Sequence, residues 1–259
     1  MPPIRKGDGT PVTPKGISQI RTGDGRILFD GVDTPDSVVL QYFATAVSGG
    51  ETTWPDDNNV QNMTLSGGES DATLSDSSQA LGFDGDGDHG TFPMPSELDG
   101  NNIQEFSVEF AVQYSHTDQN ELFGILNNDG TQFIRARTNV DGGNNTDNGN
   151  LNFDLRDSND NRIQMDLNAS NLNDGNRHDI SIIVNDSTTN DVDVIIDGSA
   201  STPNFVTSDG PNSFDAWDHD MAISARNSQG TIDLNLQSDI GAIRWHETGI
   251  NEQTISEYP

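Results

Sequence analysis

Residues 105–113 read EFSVEFAVQ, and their alternation decides the fold class. Phe106, Val108, Phe110 and Val112 fall on one side of an extended chain, while Ser107, Glu109, Ala111 and Gln113 fall on the other. That period of two predicts a strand burying one face. Shorter stretches of the same kind are predicted at 38–44, 122–126, 132–138, 151–156, 162–167, 180–184, 192–196, 221–224, 232–236 and 240–245. Clusters of Gly, Asn, Asp and Ser divide them at roughly 8–12 residue spacing, the pattern of an all-β sandwich or barrel. No helix of ordinary length competes. Only 251–257, with Asn251 as cap and Ile255 as apolar anchor, reads as one short helical turn.

The surface that these strands would present is acidic. The 259-residue chain carries 42 Asp and Glu against 12 Lys and Arg, a formal net charge of −30. Asp outnumbers Glu 33 to 9, and Lys occurs only at Lys6 and Lys15, the balance of a halophile's protein. At 0.1 M salt the Debye length is about 10 Å and such a charge repels itself across the domain; at 1 M it falls to roughly 3 Å. Molar salt is therefore expected to stabilise the fold. A disordered acidic chain is the competing reading, and the recurring apolar alternation argues against it. The same charge repels phosphate backbones and excludes nucleic acid as a partner. With glycine counted, about 41% of the residues are apolar, below the usual value of about 45–50%, so the core should be lean. Cysteine is absent, which removes disulfides, thiolate ligands and thiol nucleophiles. The opening residues MPPIRKGDG hold no apolar signal core, and nowhere do about 18 apolar residues run together, so neither export by a signal of its own nor membrane insertion is expected.

Residues 1–30 stand apart, with five basic and three acidic side chains against 7 and 39 in the remainder. A boundary near 30–36 follows, giving an N-terminal docking arm over 1–35 and a sandwich over 36–259. Within the arm, IRKGDG at 4–9 recurs as IRTGDG at 20–25. Each copy carries a Gly-Asp-Gly turn that tolerates positive φ, so short hairpin ribbon is expected. Prolines at 2, 3, 11 and 14 oppose a compact core there, and the positive charge suits docking onto an acidic partner. A frayed leader is the alternative.

Four segments, in order, resemble the laminin-G-like domains of the concanavalin A-like lectin and glucanase superfamily. Within 39–68, LQYFATAVSGGETTWPDDNNVQNMTLSGG is similar to the family's opening strand, Gly-rich turn and short following strand. ALGFDGDGDHGTFPM at 80–94 and FSVEFAVQYS at 106–115 resemble its next pair. LNDGNRHDISIIVN and VDVIIDG, between 172 and 198, resemble the strand that opens with Trp-His and the Tyr-x-Asp-Gly strand. IGAIRWHETGINEQTISEY at 240–258 is similar to the closing strand and tail. The likeness spans about 37–259 and implies a concanavalin A-like jelly-roll β-sandwich with an extended N-terminal arm. Departures matter as well: Arg177 stands where the family has Trp, and Gly241 and Ala242 where it has paired acids. In many relatives such an acid helps to hold a structural calcium ion.

The candidate sites follow from side-chain chemistry. Asp84, Asp86 and Asp88 alternate with glycine and offer the carboxylate oxygens that Ca2+ requires. EF-hand spacing nevertheless fails, with His89 at the glycine position and Pro95 at the closing glutamate; a plain turn is the alternative. The loops at 127–130 and 141–148 are read as solvated. Sugar recognition needs aromatic platforms with amides or carboxylates beside them. The carbohydrate-binding candidates are Trp217 with Phe214 and His219, then Trp54, then Tyr114 with His116, each against the alternative of a lid over the core. Trp245 is expected in the core. The superfamily's retaining glycosidases set carboxylates about 5 Å apart from a Glu-x-Asp-x-x-Glu strand. No such triplet occurs; Asp191, Asp193 and Asp197 read as a solvated face and His178 as packed.

A lectin-like acidic sandwich with a basic arm and no signal fits a virion protein, made in the host cytoplasm and carried outside on the particle. The expectation is a haloarchaeal virus spike, turret or tail fibre, homo-oligomeric, with capsid or tail proteins as partners through the arm and host glycan or S-layer as partner through the sandwich. The alternative is a haloarchaeal glycan-processing enzyme with an unorthodox carboxylate pair.

Overall fold

A computed structural model describes residues 19–21, 27–30, 38–57, 60–115, 119–138, 151–167 and 172–250. The chain divides into two compact units, 1–36 and 37–259. In the first, Gln19–Arg21 pairs antiparallel with Ile27–Asp30, placing Ile20 opposite Phe29. The motif copy at 4–9, the loop at 141–148, His116 and the helical turn expected at 251–257 lie outside the described residues.

The second unit is an all-β sandwich of two sheets. From edge to edge, the larger runs Asn204–Ser208, Arg162–Asp166, Leu151–Arg156, Phe133–Thr138, Glu121–Leu126, Met221–Ile223, His89–Phe92, Met63–Ser66 and Thr53–Trp54. Arg226–Ser228 adds a parallel pairing to Glu121–Leu126. The smaller runs Ser199–Ser201, Asp191–Ile196, Arg177–Asp186, Phe106–Gln113, Gln237–His246, Gln79–Asp84 and Ser70–Thr73, with Val38–Phe43 also on Gln237–His246.

Aromatic side chains join the sheets. Trp245, from the smaller sheet, stacks on Phe106 with centroids 6.0 Å apart and meets Phe123 of the larger sheet edge-on at 5.4 Å and Phe92 at 6.3 Å. Such pairs contribute about 0.5–1.5 kcal/mol each beyond their area burial. The alternating residues Phe106, Val108, Phe110 and Val112 enter this core. Their strand does not leave its other face wet, however: Ser107, Glu109 and Ala111 are buried too. The strand is central, between Arg177–Asp186 and Gln237–His246. On its outer side Glu109 stands 3.0 Å from His246 Nε2, 3.2 Å from Ser181 Oγ and 3.5 Å from Arg244 Nη1. Partnered in this way, polar positions tolerate burial.

Most predicted strands are found within a few residues. The one expected at 232–236 is a correction: it is Thr231–Asp233, because Leu234 takes a left-handed φ of 52° and turns the chain, so that Leu236 is buried. The Asp84 to Asp88 turn carries the chain from the smaller sheet to the larger one.

Candidate functional site

On the larger sheet, Ile134, Ala136, Phe153, Leu155, Ile163 and Met165 point into the core, which turns the intervening residues to the opposite face. Strand register lines these up in rows. The first row is Glu121, Arg137, Asn152 and Asp166; the second is Gly124, Arg135, Asp154 and Gln164; the third is Phe133, Arg156 and Arg162. With Arg226, five of the chain's ten arginines gather here, on a molecule that is otherwise strongly acidic.

Asp154 is the hub. Its buried carboxylate accepts from Arg135 Nη2 at 3.0 Å, Arg137 Nη2 at 3.2 Å and Arg162 Nε and Nη2 at 2.6 Å each. Glu121 Oε1 stands 3.7 Å from Arg135 and 3.5 Å from Arg226, which also grips Asp233 through two bonds of 2.8 Å. The guanidinium of Arg135 lies 4.2 Å from the centre of the Phe133 ring, with those of Arg156 and Arg162 at 5.5 and 5.6 Å. Gly124 makes the room: an added Cβ would stand 2.2 Å from Glu121 Oε2.

Electrostatics and hydrogen bonding do not close in this lattice. Burial pushes the Glu121 carboxyl up to about 7 although Arg135, Arg226 and Arg137 pull it down. Burial and then Arg135 lower Arg137 to about 10. All four members of the first row keep an atom screened from water with no hydrogen-bond partner: Glu121 Oε2, Arg137 Nε, Asn152 Oδ1 and Asp166 Oδ2. Arg156 Nε, in the third row, is another. A buried polar atom left unmatched costs about 1–3 kcal/mol, so the lattice carries a local cost in stability at these positions. Asp154, its most central carboxylate, is held by three arginines.

The residues singled out in the sequence are dispersed. Trp54 is fully buried and its indole N–H donates to the Phe43 carbonyl at 2.8 Å; no face of the ring is left for a sugar. Phe214 and Tyr114 are likewise buried. Trp217 is half-buried, packs against the core, and its backbone N–H donates to Asp99 Oδ1 at 2.8 Å. His219, also half-buried, bonds Asn128 Oδ1 at 2.9 Å. Their loop is clasped by side chains: Gln132 exchanges two bonds with the Asp215 backbone, Asn101 accepts from the Phe214 N–H, and Asp157 accepts from those of Asn212 and Ser213. Trp217 thus rests partly on the core, and its indole Nε1 has no hydrogen-bond partner.

In the Asp84 loop, Asp84 Oδ1 accepts from the Asp86 N–H at 2.7 Å and Asp88 Oδ2 from the Asp84 N–H at 3.2 Å. The carboxylates shape the turn, and among the described residues no group of three His, Asp or Glu side chains converges to hold a metal ion. His178 is packed as expected, with its side chain 13% exposed, and stands 2.9 Å from Asp197 and 3.3 Å from Asp174. Asp191 and Asp193 are exposed. Sequence reading missed the arginine lattice, although the i, i+2 spacing of Arg135 with Arg137, and of Asn152 with Asp154 and Arg156, between apolar residues marks it.

No family model and no curated protein matches the sequence. Solved structures do. The binding domain of Paraclostridial Mosquitocidal Protein 1 superposes with a TM-score of 0.58 at 13% identity, over 83% of this chain and 50% of that one. The binding domain of botulinum neurotoxin DC in complex with SialylT gives 0.56 at 12%, over 83% and 49%. Domain 4 of AbnA, a GH43 extracellular arabinanase from Geobacillus stearothermophilus, in complex with arabinotriose, gives 0.52 at 16%, over 85% and 96%. The chain therefore spans about half the length of the toxin binding domains and nearly all of the arabinanase domain. At these identities the likeness establishes the β-sandwich fold. Among the described residues no helix is long and apolar enough to cross a membrane.

Proposed function

We propose that this protein is a non-catalytic glycan-binding sandwich displayed on the surface of a haloarchaeal virus particle, as a spike, turret or tail fibre. The observation that carries the binding reading is structural likeness to a domain bound to arabinotriose and to a binding domain with SialylT. The virion setting rests on the charge of −30, suited to molar salt, and on a basic arm over 1–35 that would dock the acidic sandwich onto capsid or tail proteins and gather copies into an oligomer. Host surface glycan or S-layer is then the outward partner.

Two measurements test this. Mass spectrometry of purified particles should find the chain, and removal of residues 1–30 should abolish its incorporation; unchanged incorporation would refute the docking arm. Incubation with host envelopes in molar salt should give retention without release of reducing sugar. Release of sugar would mean an enzyme instead.

A further inference from the structure

Resting on the reading that residues 1–30 gather copies into an oligomer, we infer that the surface receiving them is an acceptor-lined cleft on the sandwich, and that its occupant is the basic arm of a second copy. The cleft encloses about 750 Å³, within the range of roughly 300–1,000 Å³ usual for ligand sites. It lies where the Phe106–Gln113 strand begins and its neighbours Arg177–Asp186 and Gln237–His246 end, beside the short turns Ser96–Leu98 and Gly100–Gln104. Glu97, Asn102, Glu105 and Glu247 stand exposed in its wall, so a ligand has access to it.

The chemistry of the cleft selects a cation. Four carboxylates, those of Glu97, Glu105, Asp186 and Glu247, line it without any Lys, Arg or His. Three of its four amides commit a donor elsewhere: Asn102 Nδ2 to the Ser96 carbonyl at 2.6 Å, Gln104 Nε2 to that of Asn212 at 2.9 Å and Asn185 Nδ2 to Asp193 at 3.0 Å. The wall is therefore richer in acceptors than in donors. A sugar hydroxyl donates and accepts, whereas ammonium and guanidinium groups only donate. Among the described residues no three acidic or histidine side chains converge to hold a metal ion, so the charge is spread, and an extended chain with several cationic groups answers it better than one ion.

The sandwich of a neighbouring copy cannot supply that chain. It holds seven arginines and no lysine, and each arginine is already paired: Arg135, Arg137 and Arg162 with Asp154, Arg156 with Asp160, Arg177 with Asp76 and Asp179, Arg226 with Asp233, Arg244 with Glu109. The remaining cationic side chains, Arg5, Lys6, Lys15, Arg21 and Arg26, all fall in residues 1–30. In molar salt, where the screening length is roughly 3 Å, charges act only in contact, so donors seated on acceptors, and not net charge, hold the arm. An arm in the next copy's cleft is a head-to-tail contact, which closes into a ring or continues as a filament.

The test is light scattering after size exclusion, in molar KCl, on the full chain, on an arm variant carrying Arg5→Glu and Lys6→Glu, and on a cleft variant carrying Glu105→Lys and Glu247→Lys, each checked for folding by circular dichroism. The parent should run as an oligomer of the 28.0 kDa chain and both variants as monomers. An equimolar mixture of the two variants should recover assembly, because one brings an intact arm and the other an intact cleft. A monomeric parent, as expected if each arm stays with its own chain, overturns the inference; so does a cleft variant that still assembles, or a mixture that does not. Removal of residues 1–30 separates the two readings. If the parent is monomeric while its incorporation into particles still needs the arm, this inference alone falls; if incorporation does not need the arm, the docking reading falls with it.

Discussion

Asp154 concentrates the electrostatic risk of the molecule in one side chain. Three guanidinium groups converge on a carboxylate with no solvent exposure, and removing one partner of a buried ionic cluster typically costs about 3–5 kcal/mol because the others stay buried and unpaired. Asp154→Ala should therefore lower stability by that order in urea titrations, whereas truncating an exposed acid such as Asp193 should change it little. Glu121 behaves in the opposite sense. Its folded-state value of about 7 exceeds the ordinary value of 4.5, so between these two the folded chain holds a proton that the unfolded chain has released. Stability from this group is full below 4.5 and is lost as pH rises towards 7. Glu121→Gln should remove that dependence, gaining on the parent as pH rises through the window by at most about 3–4 kcal/mol. Equal pH profiles for parent and variant would show that Glu121 stays charged.

Strands and loops divide the labour differently. Asp157, fully buried, ties two turns together by accepting from the N–H groups of Asn159, Asn161, Asn212 and Ser213. Its replacement by Ala should speed amide exchange at Asn212 and Ser213 while leaving the Phe106–Gln113 strand protected. The strands themselves were readable in the sequence wherever one face is apolar, since a period of two names the core side without knowledge of any neighbour. Leu151–Arg156 falls where its alternation put it. What could not be read is register: that Arg137 stands beside Asn152, and Asn152 beside Asp166, is decided by pairing between strands and not by any one of them. Trp54 was misplaced for a related reason. Its strand, Thr53–Trp54, is two residues long and exists only through pairing with Met63–Ser66, so nothing local distinguishes it from a loop aromatic. Leu234 failed differently, through a left-handed backbone at a residue type that seldom adopts one.

Across the whole molecule, composition and fold pull on each other through salt. A sandwich of this size with a net charge of −30 carries a self-repulsion that ions screen over about 10 Å at 0.1 M and roughly 3 Å at 1 M. The unfolding midpoint should climb steadily between those concentrations and flatten above them; independence of salt would remove the reason for placing the protein in a brine. The sandwich class was legible from alternation and the acidic coat from counting, whereas the face that the coat surrounds emerged only once two sheets were closed on each other. The most direct trial of the account is co-sedimentation of the purified chain with haloarchaeal cell envelopes in molar KCl, before and after chemical removal of their glycans. Binding that is present at first and disappears with the glycans is the result predicted here. Retention that is indifferent to deglycosylation, or no retention at all, would contradict it.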